Sequence, residues 1–237
     1  MRWLVMMIVL TVCYADDLQD VLLRIEHAQK GADSYVARLV MTSYEGETRT
    51  GQAVLDLFVK GMNLSIARYR EPLLDKGKAV LQRGSDYWMY FPKTRQSVKI
   101  SARQRLFGDA NTGDIVKPPL LSVYSVQRVS NQGGQDIFEL IAKTPSAPYQ
   151  RILLWWDNNE GKIMREDFYT RTGVFLKRAR YLGHTKVGDY FFATKVEITD
   201  GIQTNRRTVI EMTDIRQRDL SERMFYPEML GSLPEQN

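Results

Sequence analysis

Cysteine and histidine are nearly missing from this sequence. A single Cys among 237 residues, Cys13, rules out an internal disulfide and any thiolate-cluster zinc or iron–sulfur site. Two His, His27 and His184, leave little for imidazole metal chemistry. The sequence has no Gly-x-Ser-x-Gly elbow and no phosphate-cradling Gly loop ahead of a Lys. Charge of one sign is scarce too: 33 Lys+Arg against 28 Asp+Glu leave +5, compatible with an anionic membrane surface but too weak for a nucleic-acid footprint. Repeats, low-complexity tracts and linkers are absent. What remains is 43% hydrophobic, 11% aromatic and 26% charged, the composition of a folded chain rather than a disordered one. One large all-β domain is ordinary at this length.

Residues 1–15 read MRWLVMMIVLTVCYA, with Arg2 in a short n-region, an apolar run over 3–12, and Cys13 and Ala15 at the −3 and −1 positions before Asp16. This is the pattern of a secretory signal peptide, too short for the roughly 30 Å of a hydrocarbon core. Two processing routes are open. Cleavage after Ala15 releases a soluble protein over 16–237. Alternatively, Leu10-Thr11-Val12-Cys13 acts as a lipobox and Cys13 is acylated, although Val12 is bulky where a small residue is usual. Both routes export the chain, with a bacterial periplasm as the expected compartment.

Leu18, Val21, Leu22, Ile25 and Ala28 follow helical spacing, with Asp16 or Asp17 to start a helix and Gly31 to end it; the pattern predicts one amphipathic helix over 17–30. Beyond it, period-two runs dominate. Alternating segments at 35–43, 53–60, 64–69, 80–82, 87–91 and 98–100, separated by Gly, Asn or Asp turns, predict a meander of antiparallel hairpins. The rhythm breaks over 101–121, which is predicted to be a long functional or mobile loop. Strands resume at 137–143, 151–157, 163–169, 175–181, 190–200 and 203–216, with a turn over 183–188 that holds His184. The expected fold is mainly β: a curved, incompletely closed antiparallel barrel of about eleven strands, with an N-terminal helix and a loop or helix lid over an apolar concave face.

Arg38, Asp56, Lys60, Glu139, Lys143, Arg151, Arg178 and Arg180 mark a wetted outer face. Leu39, Met41, Leu55, Leu57, Leu64, Ile66, Phe138, Leu140, Ile152, Leu154 and Trp156 are assigned to the other. Trp88 and Tyr90 join the apolar set, although Tyr87, Met89 and Phe91 alternate equally well. Each buried apolar side chain is worth roughly 1.5–3 kcal/mol, so that face needs a cover. Either the sheet closes on a filled core or it wraps an apolar ligand.

Several groups that look chemical read as structural. Residues 109–114, DANTGD, put Gly113 and Asp114 in the fifth and sixth places of a calcium loop and Leu120 in the twelfth, so an ordinary loop is expected. His27 reads as a solvated helix residue. No catalytic residue, cofactor or metal is expected. Lys93, Arg95, Lys99, Arg103 and Arg105 form an acid-free cluster leading into the long loop. It suits an anionic lipid headgroup or an acidic partner, and equally a solvated basic hairpin.

The stretch Ser85-Asp86-Tyr87-Trp88-Met89-Tyr90-Phe91-Pro92-Lys93-Thr94-Arg95, then Val98-Lys99-Ile100-Ser101 and Gln104-Arg105-Leu106-Phe107-Gly108-Asp109, resembles the LolA-like family of outer-membrane lipoprotein-sorting proteins. The similarity continues through Trp155-Trp156-Asp157, the Gly161 turn, Arg165-Glu166 and Thr213-Asp214-Ile215-Arg216 to Phe225. The resemblance implies an unclosed barrel around a hollow apolar cavity lidded by helices and loops. It implies cargo in the form of a lipid or acylated lipoprotein. Leu39, Met41, Leu55, Leu57, Leu64, Ile66, Trp88, Tyr90, Leu140, Ile152, Leu154 and Trp156 would line the cavity. Implied partners are an inner-membrane ABC or RND/MMPL-type transporter, a membrane surface and an outer-membrane acceptor, with no nucleic acid. Two other readings share the architecture: a sensor that binds a membrane stress-signalling partner, and a lipid hydrolase, which needs a Ser or His nucleophile system.

Overall fold

A computed structural model describes residues 6–31, 33–132, 134–187 and 190–234. Helix α1, Met6–Lys30, begins well before the predicted residue 17, because the apolar leader holds no Gly or Pro to break it. The n-region of the expected signal peptide, Arg2 included, lies outside the described residues. Among the described residues no helix is long and apolar enough to cross a membrane. The helix ends on Gly31, which at φ +73° donates its N–H to the His27 carbonyl (2.8 Å), a left-handed cap. A Cβ at Gly31 would also fall 2.4 Å from the Phe192 ring, so glycine is needed there for space as well as conformation.

A first meander follows: β1 Ser34–Glu45, β2 Thr48–Lys60, β3 Leu64–Glu71, β4 Ala79–Arg83, β5 Asp86–Phe91 and β6 Gln96–Ile100. A small hairpin, β7 Arg105–Phe107 with β8 Ala110–Asn111, leads into the short helices α2 Thr112–Ile115 and α3 Leu120–Val123. The second meander is β9 Tyr124–Gln132, β10 Gln135–Ala142, β11 Arg151–Asp157, β12 Lys162–Tyr169, β13 Phe175–Val187, β14 Tyr190–Asp200 and β15 Arg206–Gln217. Antiparallel pairing of β1 with β15 joins the two into one thirteen-stranded sheet ordered β6-β5-β4-β3-β2-β1-β15-β14-β13-β12-β11-β10-β9. Strands β6 and β9 terminate the order, so the curved sheet is not closed into a barrel. Loops span the opening: Arg103, after β6, donates through Nε to the Ala147 carbonyl (3.1 Å) before β11.

Three local expectations change. Strand β9 was not anticipated, since Gln127, Arg128, Ser130 and Asn131 dilute its apolar alternation. The stretch 101–121 is not a plain loop but carries the β7–β8 hairpin and α2. His184 sits on β13, because that strand continues to Val187; Gly188 of the expected turn is outside the described residues.

The sheet has two apolar faces. The concave one carries Leu39, Met41, Leu55, Leu57, Phe138, Leu140, Ile152, Leu154 and Trp156, covered by Val21, Leu22 and Ile25 of α1 and by Val116 and Leu120. The convex face, expected to be wet, holds a second cluster. Val36, Phe58, Leu64, Ile66 and Leu81 pack under Leu220, Phe225, Leu230 and Leu233 of the C-terminal segment, with Trp88 and Tyr90 against them. That segment is built of two 3-10 turns, Glu222–Phe225 and Pro227–Ser232.

Four of the residues assigned to the cavity are therefore corrected: Leu64, Ile66, Trp88 and Tyr90 lie on the opposite face from the rest. Directly opposed residues in an antiparallel ladder share a face. Register pairs Phe58 with Ile66 and Leu57 with Ala67, so Ile66 follows Phe58 outward. On β5, Met89 opposes inward Val80, and Trp88 and Tyr90 oppose outward Leu81 and Ala79.

Candidate functional site

The C-terminal turn of α1, the concave faces of β1–β3 and β12–β15, and residues 114–117 enclose a cavity of about 100 Å³. Its apolar wall includes Leu39, Leu57, Val59, Phe168, Phe192 and Ile198; its polar wall includes Gln29, Lys30, Ser65, Lys117, Glu166 and Tyr181. A second, smaller space of about 30 Å³ lies alongside, lined by Leu140 and Ile152 among others. Gln29, Asp114, Lys117 and Glu166, with the Phe168 ring, face both, so these side chains partition the interior. The resemblance implies an open hollow; here the interior is mostly filled, because α1 and the 112–123 connection pack down onto the sheet. Drug-sized ligands occupy pockets of about 300–1,000 Å³, so this is a closed arrangement.

Two buried ion pairs hold the connection down. Lys117 Nζ lies 2.8 Å from Glu166 Oε2 and also donates to the Tyr181 hydroxyl. Gln29 Nε2 donates to the other Glu166 oxygen at 2.9 Å, so α1 shares the same anchor. Burial alone would lower the Lys117 pKa; the Glu166 carboxylate and the Tyr181 hydroxyl outweigh it and raise it. Burial, with the Glu166 charge beside it, raises Tyr181 in turn. In the second pair Lys177 donates to Asp114 Oδ2 and to the Asp109 carbonyl (3.0 Å), and the Tyr149 hydroxyl donates to Asp114 Oδ1 at 2.7 Å. Asp109 faces Arg206 at 2.9 Å. The acids of the DANTGD stretch are thus engaged by Lys177, Arg206 and Tyr149.

Of the residues expected to contact cargo, Leu39 and Leu57 line the larger space, and Leu140 and Ile152 the smaller. Met41, Leu55, Leu154 and Trp156 lie in the surrounding concave core, all 0% exposed. Sequence reasoning missed the polar wall. Lys30, Lys117 and Glu166 are charges inside the core, and nothing in their local pattern separates them from surface charges. Lys93, Arg95, Lys99, Arg103 and Arg105 are all exposed. Lys99 pairs with Asp86 (2.7 Å) and Arg103 braces the Ala147 loop, so the cluster is not one continuous patch of free charge.

A protein-family model described only as an uncharacterized protein matches residues 61–232. No curated protein matches the sequence. Among solved structures, a LolA superfamily protein from Nitrosomonas europaea is 25% identical with a TM-score of 0.80, the alignment covering 88% of this chain and 96% of that one. A Vibrio parahaemolyticus domain assigned to outer membrane lipoprotein sorting is 20% identical with a TM-score of 0.75, over 90% of this chain and 96% of its own. A DUF1329 family protein from Desulfovibrio piger gives 19% identity and a TM-score of 0.75, over 89% and 96%. The last two share the fold.

Proposed function

We propose, from the fold this chain shares with a LolA superfamily protein at 25% identity, that residues 16–237 act as one periplasmic carrier domain, which holds the acyl part of a lipid or lipoprotein and passes it between membrane partners. The observation that carries this reading is the concave apolar wall, with Leu39, Leu57, Phe192 and Ile198 around an internal space beneath a polar-latched cover. An acyl chain gains roughly 0.8 kcal/mol per buried methylene. In the closed arrangement it has no room, so loading requires α1 and residues 112–123 to lift. Release of the Lys117–Glu166 partition would merge the two spaces.

Exchange needs a membrane-facing surface. The β3–β4 turn presents Leu73 and Leu74, 84% and 77% exposed, in a stretch that also holds Glu71, Asp75 and the cations Arg70, Lys76 and Lys78, of which Lys78 pairs with Asp75 and Arg70 with Asp56. Its Gly77 faces Pro92, which brings Lys93 of the next turn alongside. Exposed leucines beside the exposed Lys76 suit an anionic bilayer surface. The carrier performs no chemistry in this scheme, and its transfer partner in the inner membrane is an ABC or RND/MMPL-type transporter.

The test is mass spectrometry of organic extracts from the purified protein. A defined lipid near one equivalent is the expected result. No lipid, together with no binding of added acyl probes, would overturn the reading. Charged substitutions at Leu55 or Leu154 would unfold so dry a core. Ala193→Leu, which fills the cavity with hydrocarbon, is expected to lower the lipid load while the protein stays folded.

A further inference from the structure

Charge inside the concave face does not balance. Lys117 is matched by Glu166 and Lys177 by Asp114. Lys30, itself 5% exposed, has neutral partners: its Nζ donates to Ser65 Oγ at 2.9 Å and to Gln82 Oε1 at 3.3 Å. Among the described residues no carboxylate lies within ion-pair distance of it. Gln82 is held in that orientation by its own Nε2, which donates to the carbonyls of Asn63 (3.1 Å) and Gly84 (2.6 Å). Ser65 Oγ accepts from Lys30, and among the described residues no acceptor takes the serine proton. Lys30 and Ser65 both line the 100 Å³ cavity, next to Tyr35 and Val59. A buried ammonium without a counter-ion is costly, and the group that would satisfy it is an anion.

We infer that this end of the cavity is an anion-recognition site, in which Lys30 and Ser65 hold the ionised headgroup of an acidic amphiphile whose hydrocarbon part lies on the apolar wall. The inference rests on the carrier reading and narrows it to cargo carrying a carboxylate or phosphate-type group. Lys30 supplies a charge-assisted donor and Ser65 a hydroxyl donor, while Lys117 across the cavity is already paired with Glu166. Around the ammonium, α1 offers Glu26, the connection Asp114 and Lys117, β12 Glu166, β13 Tyr181 and β1 Tyr35. Burial, with the Lys117 charge behind it, brings Lys30 down to about 7 against a partial upward pull from Glu26. An arriving anion therefore draws a proton onto Lys30 above neutral pH, and binding takes up hydrogen ions.

The experiment measures binding of three probes of equal chain length, dodecanoate, dodecyl phosphate and dodecanol, to wild type, Lys30→Met and Ser65→Ala, with calorimetry in two buffers of different ionisation enthalpy. Support is a preference of about tenfold or more for one or both anions over the alcohol. It also requires proton uptake near pH 8, and loss of both in Lys30→Met with dodecanol binding retained. The stronger anion distinguishes a carboxylate from a phosphate cargo. Equal binding of anions and alcohol by wild type, or a preference that survives Lys30→Met, overturns this inference and leaves the carrier standing. Binding of none of the three by wild type overturns both.

Discussion

Lys117, reaching in from the connection between α2 and α3, lies 2.8 Å from Glu166 on β12, a carboxylate only 1% exposed. Single substitution strands a buried charge. Lys117→Met is expected to cost about 3–5 kcal/mol, since Glu166 keeps only Gln29 and the Tyr181 hydroxyl. Adding Glu166→Gln removes the stranded charge, and with its Oε1 accepting from Gln29 and its Nε2 donating to the Tyr181 hydroxyl both neighbours keep a partner, so the double variant should recover most of the loss. Urea denaturation of the singles and the double closes the cycle. Amide exchange over 112–123 should accelerate in the Lys117 single variant more than elsewhere, if this pair is what holds the cover down.

Lys30 makes a pH argument whose sign is fixed. Its folded pKa, about 7, lies below the ordinary 10.5. Between those values the unfolded chain binds more protons than the folded one, so stability attributable to this residue rises with pH across that window. Below about 7 both states are protonated and the full cost of a buried ammonium remains. Ligand-free Lys30→Met should be about 1–3 kcal/mol more stable than wild type at pH 6–7 and converge on it toward pH 10. Denaturation midpoints of both proteins at matched pH check this. A constant difference across the range would mean that Lys30 stays charged throughout.

Leu73 and Leu74 have little to do for the folded state. Replacing both with serine is expected to change stability by no more than about 0.5 kcal/mol. If the turn enters the bilayer surface, the same double variant should weaken binding to anionic vesicles by about tenfold or more. Flotation or tryptophan-quenching assays would read it. Lys76→Gln should instead steepen the loss only at low ionic strength, because an exposed cation acts within a Debye length.

Most of the sheet was legible in the sequence, for a physical reason: half-buried strands alternate, and Gly, Asn and Asp mark the turns between them. The strand 151–157 lies where its alternation puts it. Which face a strand turns inward was less legible. The turn after Lys60 sets the phase of β3, and Leu64 pairs with Lys60, an outward residue, so Leu64 and Ile66 point away from Leu57. A single strand read alone carries no such phase. Trp88 and Tyr90 were hidden by the same ambiguity, made worse because every residue over 87–91 is large and apolar. The polar wall was not legible at all. Lys30 sits one residue before a helix-ending glycine, and Lys117 beside two prolines, positions where a lysine is usually solvated; only tertiary packing buries them. Glu166 and Lys177 alternate with the outward charges of their strands, and their burial depends on α1 and residues 112–117 covering that end of the sheet.

The convex cluster gives the clearest stability test. Phe225, at the end of the first C-terminal 3-10 turn, is 0% exposed and packs over Phe58, Ile66 and Leu81 on the outer side of β2–β4. The turn is positioned by Ser221, whose hydroxyl accepts from the Arg223 N–H, and by Arg83, which donates to the Phe225 carbonyl. Phe225→Ala should cost about 3–5 kcal/mol, because a large aromatic leaves a space that the sheet backbone cannot close. Phe225→Leu should cost clearly less, since much of the volume is kept. Neither change touches the concave cavity, so acyl-probe affinity of the folded fraction should stay at the wild-type value. If Phe225→Ala instead altered probe binding without loss of stability, the two faces of the sheet would be coupled, and the C-terminal segment would belong to the carrier's moving parts rather than to its frame.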